Sequence, residues 1–274
     1  MTGWLLTLFL SGSLVAAPRT AEGPADLIEK AHNLSLQKDR VQAVNILVAA
    51  IKREPPNSSG AKELKNALQE ISSAFLSDKA QQLYELAVSF RKTDLNQMQS
   101  RLSEALRLEP DNLLLLNEQA RLQIAKNECG AASEVMAKHR KWNPYDEQTL
   151  LTSAQAEVCL SDWPAYTTLR SQAEGRKGPH AQFWLALEVE RGLKEKAETR
   201  ARESLELLRK ESPQYPEIPF WSLKLSKDAH TKASLAQKYV MDCKNISAAQ
   251  LRRYMMEPLL CRRMAEAESF IKGP

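Results

Sequence analysis

Four prolines stand at almost constant spacing: Pro110, Pro144, Pro179 and Pro213 follow one another at intervals of 34, 35 and 34 residues, and Pro55 precedes the first of them by 55. A second series of different chemistry keeps the same steps, since Asp39, Asp94, Glu128 and Asp162 are separated by 55, 34 and 34. Proline has no N–H and stops a helix. An acidic residue at a helix start accepts from the free N–H groups of the first turn and suits the positive end of the helix dipole. Trp163-Pro164 follows Asp162, where proline is well tolerated in a first helical turn. Each unit therefore reads as a helix, a short turn, an acid-started second helix and a proline stop. The stretch ALRLEPDN at residues 105–112 is one such stop.

The apolar positions recur in the frame that the prolines set. The first unit has Leu27, Ala31, Ala43, Leu47 and Ala50; the third has Leu116, Ala120, Ala132 and Met136; the fourth has Leu150, Ala154 and Ala173. The unit ending at Pro213 keeps Leu185, Ala201 and Leu205 without an acidic start. Small residues are expected where two helices cross closely, and large ones where they fill the seam. With 26% charged residues and only 9 glycines in 274 residues, the chain has the composition of a helical protein rather than an all-β one.

This pattern resembles the tetratricopeptide repeat, a 34-residue pair of antiparallel helices with a small residue in each helix and a proline at the end. The resemblance covers roughly residues 24–243 and implies an all-α fold, an α-solenoid of antiparallel helix pairs. The 55-residue step exceeds one repeat by about 20 residues, room for an extra helix in GAKELKNALQEISSAF, residues 60–75. The expected organisation is a leader or anchor at 1–23, a repeat at 24–55, an inserted helix at 56–76, a run of repeats at 77–243 and a helical cap at 244–274.

In that family the first helices line a concave face that holds an extended or helical segment of another protein. The frame places Arg91, Asn117, Arg121, Gln155, Phe183 and Glu190 on that face. Together they make a mixed polar groove with one aromatic, suited to hydrogen-bonding a peptide; solvent-facing positions without a partner are the alternative. Arg121 and Asn117 partly match the family's carboxylate-gripping clamp, whereas Gln155 and Glu190 break its pattern. The same frame sets Cys129 at the start of one second helix and Cys159 at the end of the next first helix, side by side, as a disulfide requires. Cys243 and Cys261 are the remaining pair. Four reduced, buried cysteines are the other reading.

The start of the chain differs in kind. WLLTLFLSGSLVAA at residues 4–17 carries no charge and is followed by the small, polar PRTAEGPAD, the layout of an export signal. It is short for a transmembrane helix, which needs about 20 apolar residues. No Lys or Arg precedes it, and Pro18 follows Ala17, so an uncleaved N-terminal anchor is the alternative. An even number of cysteines, 4, fits an oxidising compartment, and the expected location is periplasmic or secreted.

Signatures of chemistry are absent from the sequence. His32, His139, His180 and His230 have no second ligand at helical spacing, no Cys-x-x-Cys occurs and no glycine-rich phosphate loop is present. No catalytic residue, metal or cofactor is expected. A net charge of +4 spread along the chain speaks against nucleic acid. The densest basic pairs, Arg252-Arg253 and Arg262-Arg263, read as solvated helix surface, with an anionic partner as the alternative. The leading functional expectation is an exported, non-enzymatic scaffold for protein–protein interaction, in envelope assembly or secretion. An accessory module of a peptidoglycan enzyme and a cytosolic or membrane-anchored adaptor are the other two readings.

Overall fold

The computed structural model describes residues 22–173, 178 and 180–271; the apolar leader and Pro179 lie outside the described residues. Among the described residues all regular structure is helical. The order is α1 (Pro24–Leu36), α2 (Arg40–Ile51), α3 (Ser59–Ser73), α4 (Asp78–Ser89), α5 (Leu95–Leu108), α6 (Leu113–Ala125), α7 (Cys129–His139) and α8 (Glu147–Leu160). It continues with α9 (Trp163–Gln172), α10 (Ala181–Lys194), α11 (Glu198–Glu211), α12 (Ile218–Leu225), α13 (Ala229–Lys244), α14 (Ala248–Arg253) and α15 (Met264–Ile271). Six pairs pack side by side across short turns: α1 with α2, α4 with α5, α6 with α7, α8 with α9, α10 with α11 and α12 with α13. Successive first helices α6, α8 and α10 also touch one another. The architecture is a tetratricopeptide-like α-solenoid.

Local chemistry explains where the helices begin and end. Asp39, Asp94 and Asp162 each take the position before a second helix, and their side chains accept from Gln42 N at 3.1 Å, Asn96 N at 2.9 Å and Ala165 N at 3.0 Å. Glu128 holds the equivalent place without capping, and pairs with Lys126 at 3.2 Å instead. Its extra methylene makes glutamate a poor N-cap. First helices are capped too, since Asn112 accepts from Leu114 N at 3.0 Å and Asp146 from Thr149 N at 3.0 Å. α2, α5, α7 and α11 all stop shortly before Pro55, Pro110, Pro144 and Pro213.

The helix crossings are made by small residues. Ala31, Ala43, Ala120, Ala132, Ala154 and Ala201 are all fully buried, with Leu47, Leu116, Met136, Leu150 and Leu205 filling the seams around them. Ala173 falls just past the end of α9 and is half-buried. The closest approach is at Gly192, where an added Cβ would lie 2.8 Å from Ala201 N and 2.9 Å from Ala201 Cα.

α3 packs on α1 and α2 and then touches α6 rather than continuing the stack through α4. One buried cation makes this joint. Arg40, in the first turn of α2, donates to Ile71 O at 3.1 Å and Ala74 O at 2.6 Å, and pairs with Glu109 at 2.8 Å and Asp111 at 2.7 Å. Glu109 also accepts from Leu76 N at 2.8 Å and Ser77 N at 2.9 Å. The turn that stops α5 thus also fixes the end of α3.

Candidate partner groove

The six residues expected on the concave face lie on, or just past, first helices of the pairs, and each of them is covered to some degree. Arg91 follows the end of α4, Asn117 and Arg121 lie on α6, Gln155 on α8, and Phe183 and Glu190 on α10. Asn117, Arg121, Gln155 and Phe183 are buried, and Arg91 and Glu190 are only partly exposed. Part of the cover is the chain's own C-terminal segment, residues 254–263, which passes between α14 and α15 without regular helix.

The face holds this segment by its backbone. Arg91 donates to Met255 O, and Gln155 Nε2 donates to Met256 O at 2.8 Å. In return the Arg262 guanidinium donates to Arg91 O. Leu259 packs against the cluster of Ala120, Ile124, Ala132, Met136 and Ala156, and the Tyr254 ring meets Tyr215 edge-on at 5.0 Å, with Phe183 6.1 Å from Tyr215. Cys261 is joined to Cys243 of α13, with Cα atoms 5.5 Å apart.

Two buried charge clusters organise the groove. In the first, Glu118 on α6 is fully buried between Arg91 and Arg121, with Arg121 Nη2 at 2.9 Å. Burial alone would raise the Glu118 carboxyl, but the two guanidinium groups outweigh it and hold it below the usual range. Arg121 also donates to Thr152 on α8 at 3.0 Å, and Asn117 Nδ2 to Thr149 on α8 at 2.9 Å. Both side chains therefore tie neighbouring first helices together.

In the second cluster, Arg263 lies 2.5 Å from Glu190 and 3.0 Å from Glu217. Trp221 Nε1 donates to Glu190, Cys261 N to Glu217 at 2.6 Å, and Tyr239 OH to both Glu217 oxygens at 3.1 Å. Glu257 accepts from Tyr215 OH at 2.8 Å. Three carboxylates thus face one guanidinium. Burial pushes Glu217 up to about 7, Arg263 pulling it down and Glu257 pushing it further up. Burial likewise raises Glu257, against the pull of Arg263. Burial works against the charge on Arg263, yet the surrounding carboxylates hold it above its ordinary value.

The expectation that Arg262-Arg263 is solvated helix surface is corrected, because both turn inward, while Arg252 and Arg253 on α14 stay exposed. Helix-surface reasoning failed here because residues 254–263 are not helical; Pro258, which cannot continue a helix, was the available sign. Nothing in the sequence marks Glu118, Glu217 and Glu257, which are fully or almost fully buried beside these residues. Buried carboxylates look like any other in a chain with 34 acidic residues.

The cysteines pair as Cys129–Cys159, with Cα atoms 5.7 Å apart, and Cys243–Cys261. Among the described residues, Glu217, Cys243 and Cys261 are the group of three metal-ligating types that come within 4.8 Å of one another. With both sulfurs bonded to each other, that group offers a metal only a carboxylate already held by Arg263 and Tyr239. Also among the described residues, no helix is long and apolar enough to cross a membrane.

No protein-family model matches the chain, and neither does any curated protein. Among solved structures it is similar to a tetratricopeptide repeat protein from Parabacteroides merdae ATCC 43184, with 18% identity over 90% of each chain and a TM-score of 0.41. A likeness of that degree adds nothing to the helix pairing itself. The helix pairing defines the class, a tetratricopeptide-like α-solenoid.

Proposed function

We propose that the protein is a non-enzymatic scaffold that works in an oxidising compartment and holds an extended segment of another protein along its first helices. The observation that carries this reading is the backbone grip. Arg91 and Gln155 donate to the carbonyls of two adjacent residues, Met255 and Met256, and every peptide offers such carbonyls. Side-chain selectivity comes from the apolar surface under Leu259 and the carboxylates around Arg263. The export layout of residues 4–17 and the two cysteine pairs support a periplasmic or secreted location, with envelope assembly or secretion as the setting. The repeat architecture serves binding in its family, which supports the non-enzymatic reading.

Photo-crosslinking in the native cells tests the groove. A photoreactive residue in place of Lys194, exposed at the groove rim, is expected to give a discrete adduct with another chain, and one in place of Lys210 on α11 is not. Adducts from Lys210 alone would move the interface to the outer face. Intact mass with thiols blocked at lysis tests the compartment. Loss of roughly the first 20 residues and no blocked thiols is expected; a full-length chain with free thiols would sink the export reading.

A further inference from the structure

Residues 254–263 lie against the first-helix residues where a partner would lie, held by hydrogen bonds from Arg91 and Gln155, by the Cys243–Cys261 bond and by burial of Tyr254, Met256 and Leu260. α14, which leads into the segment, buries no residue, so the segment begins on a loosely held hinge. α15, which follows it, packs on α13 rather than on the first helices. At its far end Cys261 has a φ of 57°, the left-handed region that a residue with a Cβ disfavours. The bond to Cys243 and the Glu217 contact to Cys261 N hold it there. The same end carries Arg263, which is shared between Glu190 and Glu217 in a largely buried place. Nor does the segment fill the groove. A cavity of about 300 Å³ remains beside it, lined by Ile124, Val158, Phe183, Leu187 and Leu259. Gln155 lines the same cavity, and its buried Oε1 has no hydrogen-bond partner.

We propose that residues 254–263 are a built-in stand-in for the partner, latched by Cys243–Cys261, and that reduction of this bond lets them lift out as a loop. The opened groove then takes a peptide of the same chemistry: apolar residues around a proline, followed by two basic side chains, one for the Arg91 carbonyl and one for the carboxyls of Glu190 and Glu217. This rests on the groove reading given above and adds its regulation. The reductant is a protein dithiol. One of its thiolates attacks Cys261 Sγ, since Cys261 is 6% exposed and Cys243 fully buried, and forms a mixed disulfide while Cys243 leaves as a thiolate and takes up a proton. The second thiolate then displaces Cys261, which is protonated in turn. The dithiol ends oxidised, having supplied two electrons and two protons.

The test uses the full chain carrying Cys129→Ala and Cys159→Ala, so that Cys243–Cys261 is the bond under study. Hydrogen exchange is followed with and without dithiothreitol, and mass confirms the thiol state. In parallel, a fluorescent peptide of residues 254–263 with Ser for Cys261 is titrated into both forms, beside a second peptide with both arginines replaced by Glu. Opening the bond is expected to lower amide protection at 254–261 by about 100-fold, the scale of one such cross-link, while α6 and α10 stay protected. The first peptide is expected to bind the reduced form at least about tenfold more tightly than the oxidised one, and more tightly than the Glu peptide, a step of one buried charge pair. Unchanged protection with both thiols free would overturn the latch and leave the groove reading standing. Loss of protection throughout α6 and α10 would make the segment part of the core and overturn it too. Release of the segment with no peptide binding would overturn the groove reading, and this proposal with it. Should the double variant not fold, Cys243→Ser in the chain that keeps Cys129–Cys159 opens the bond without dithiothreitol and gives the same readouts.

Discussion

The guanidinium of Arg40, only 1% exposed, lies 2.8 Å from the carboxylate of Glu109, a residue 69 positions further along the chain. This pair, with the carbonyls of Ile71 and Ala74 on the same guanidinium, couples the first helix pair and α3 to the rest of the stack. Arg40→Ala leaves the buried Glu109 carboxylate with neutral donors only, from Leu76 N, Ser77 N and Asn112 Nδ2, and without its counter-charge. It is expected to cost about 3–5 kcal/mol in denaturant unfolding. A loss below about 1 kcal/mol, the value of an exposed pair, would show that the joint is held by apolar packing alone.

Gly192→Ala should destabilise the protein although alanine is the better helix former. The gain in helix propensity is about 1 kcal/mol. Against it, the new Cβ meets the backbone of Ala201 at 2.8–2.9 Å, and two packed helices must part. Overpacking of this kind costs about 1–3 kcal/mol, and a lowered melting temperature is the expected readout. Ala120→Leu and Ala154→Leu, at other fully buried crossings, carry the same expected cost. Neutral results at both would put the repeat frame out of register.

Stability should fall as pH rises from about 4.5 to about 7, because Glu217 keeps its proton in the folded chain over a range where the unfolded chain has lost it. Below that window both states are protonated, and above it both are ionised. Glu118 acts with the opposite sign and in a lower window: its proton is lost earlier in the folded state, so its contribution fades as pH drops below the ordinary carboxyl range. Denaturant unfolding across pH is expected to show a shallower decline for Glu217→Gln than for the wild type. The same slope in both would assign the titration to another group.

Cys129→Ala combined with Cys159→Ala removes a cross-link spanning 30 residues. The chain-entropy account puts the expected loss at about 3.6 kcal/mol, appearing equally on reduction of the wild type at this bond. Equilibrium unfolding of the double variant measures it, and an unchanged midpoint would show that the pair contributes nothing to folding.

Residues that act on their own backbone were legible in advance. Asp94 caps α5 and Pro110 follows its last turn because each needs only neighbours within a few positions. Ala120 and Ala154 were legible for a related reason, since a repeat copies the same crossing from unit to unit. Glu128 shows the limit of that reasoning, because the acidic spacing persists where the cap does not. The side chains placed on the groove face by the frame do lie on the first helices or at their ends. Their neighbours were not readable, because Glu118 beside Arg121 looks like an ordinary helical ion pair until Arg91 arrives from another unit.

The sequence by itself determined the helical class, the length of the repeat and the places where helices start and stop, since these depend on contacts a few residues apart and on a pattern that recurs. Only the tertiary structure decided where α3 packs and what lies in the groove. Both depend on single contacts between residues far apart in the chain, Arg40 with Glu109 and Gln155 with Met256, which belong to no periodic pattern. The inward turn of Arg263 follows from the same cause: a buried cation goes where carboxylates from α10 and the start of α12 meet, and that meeting point exists only after the helices have stacked.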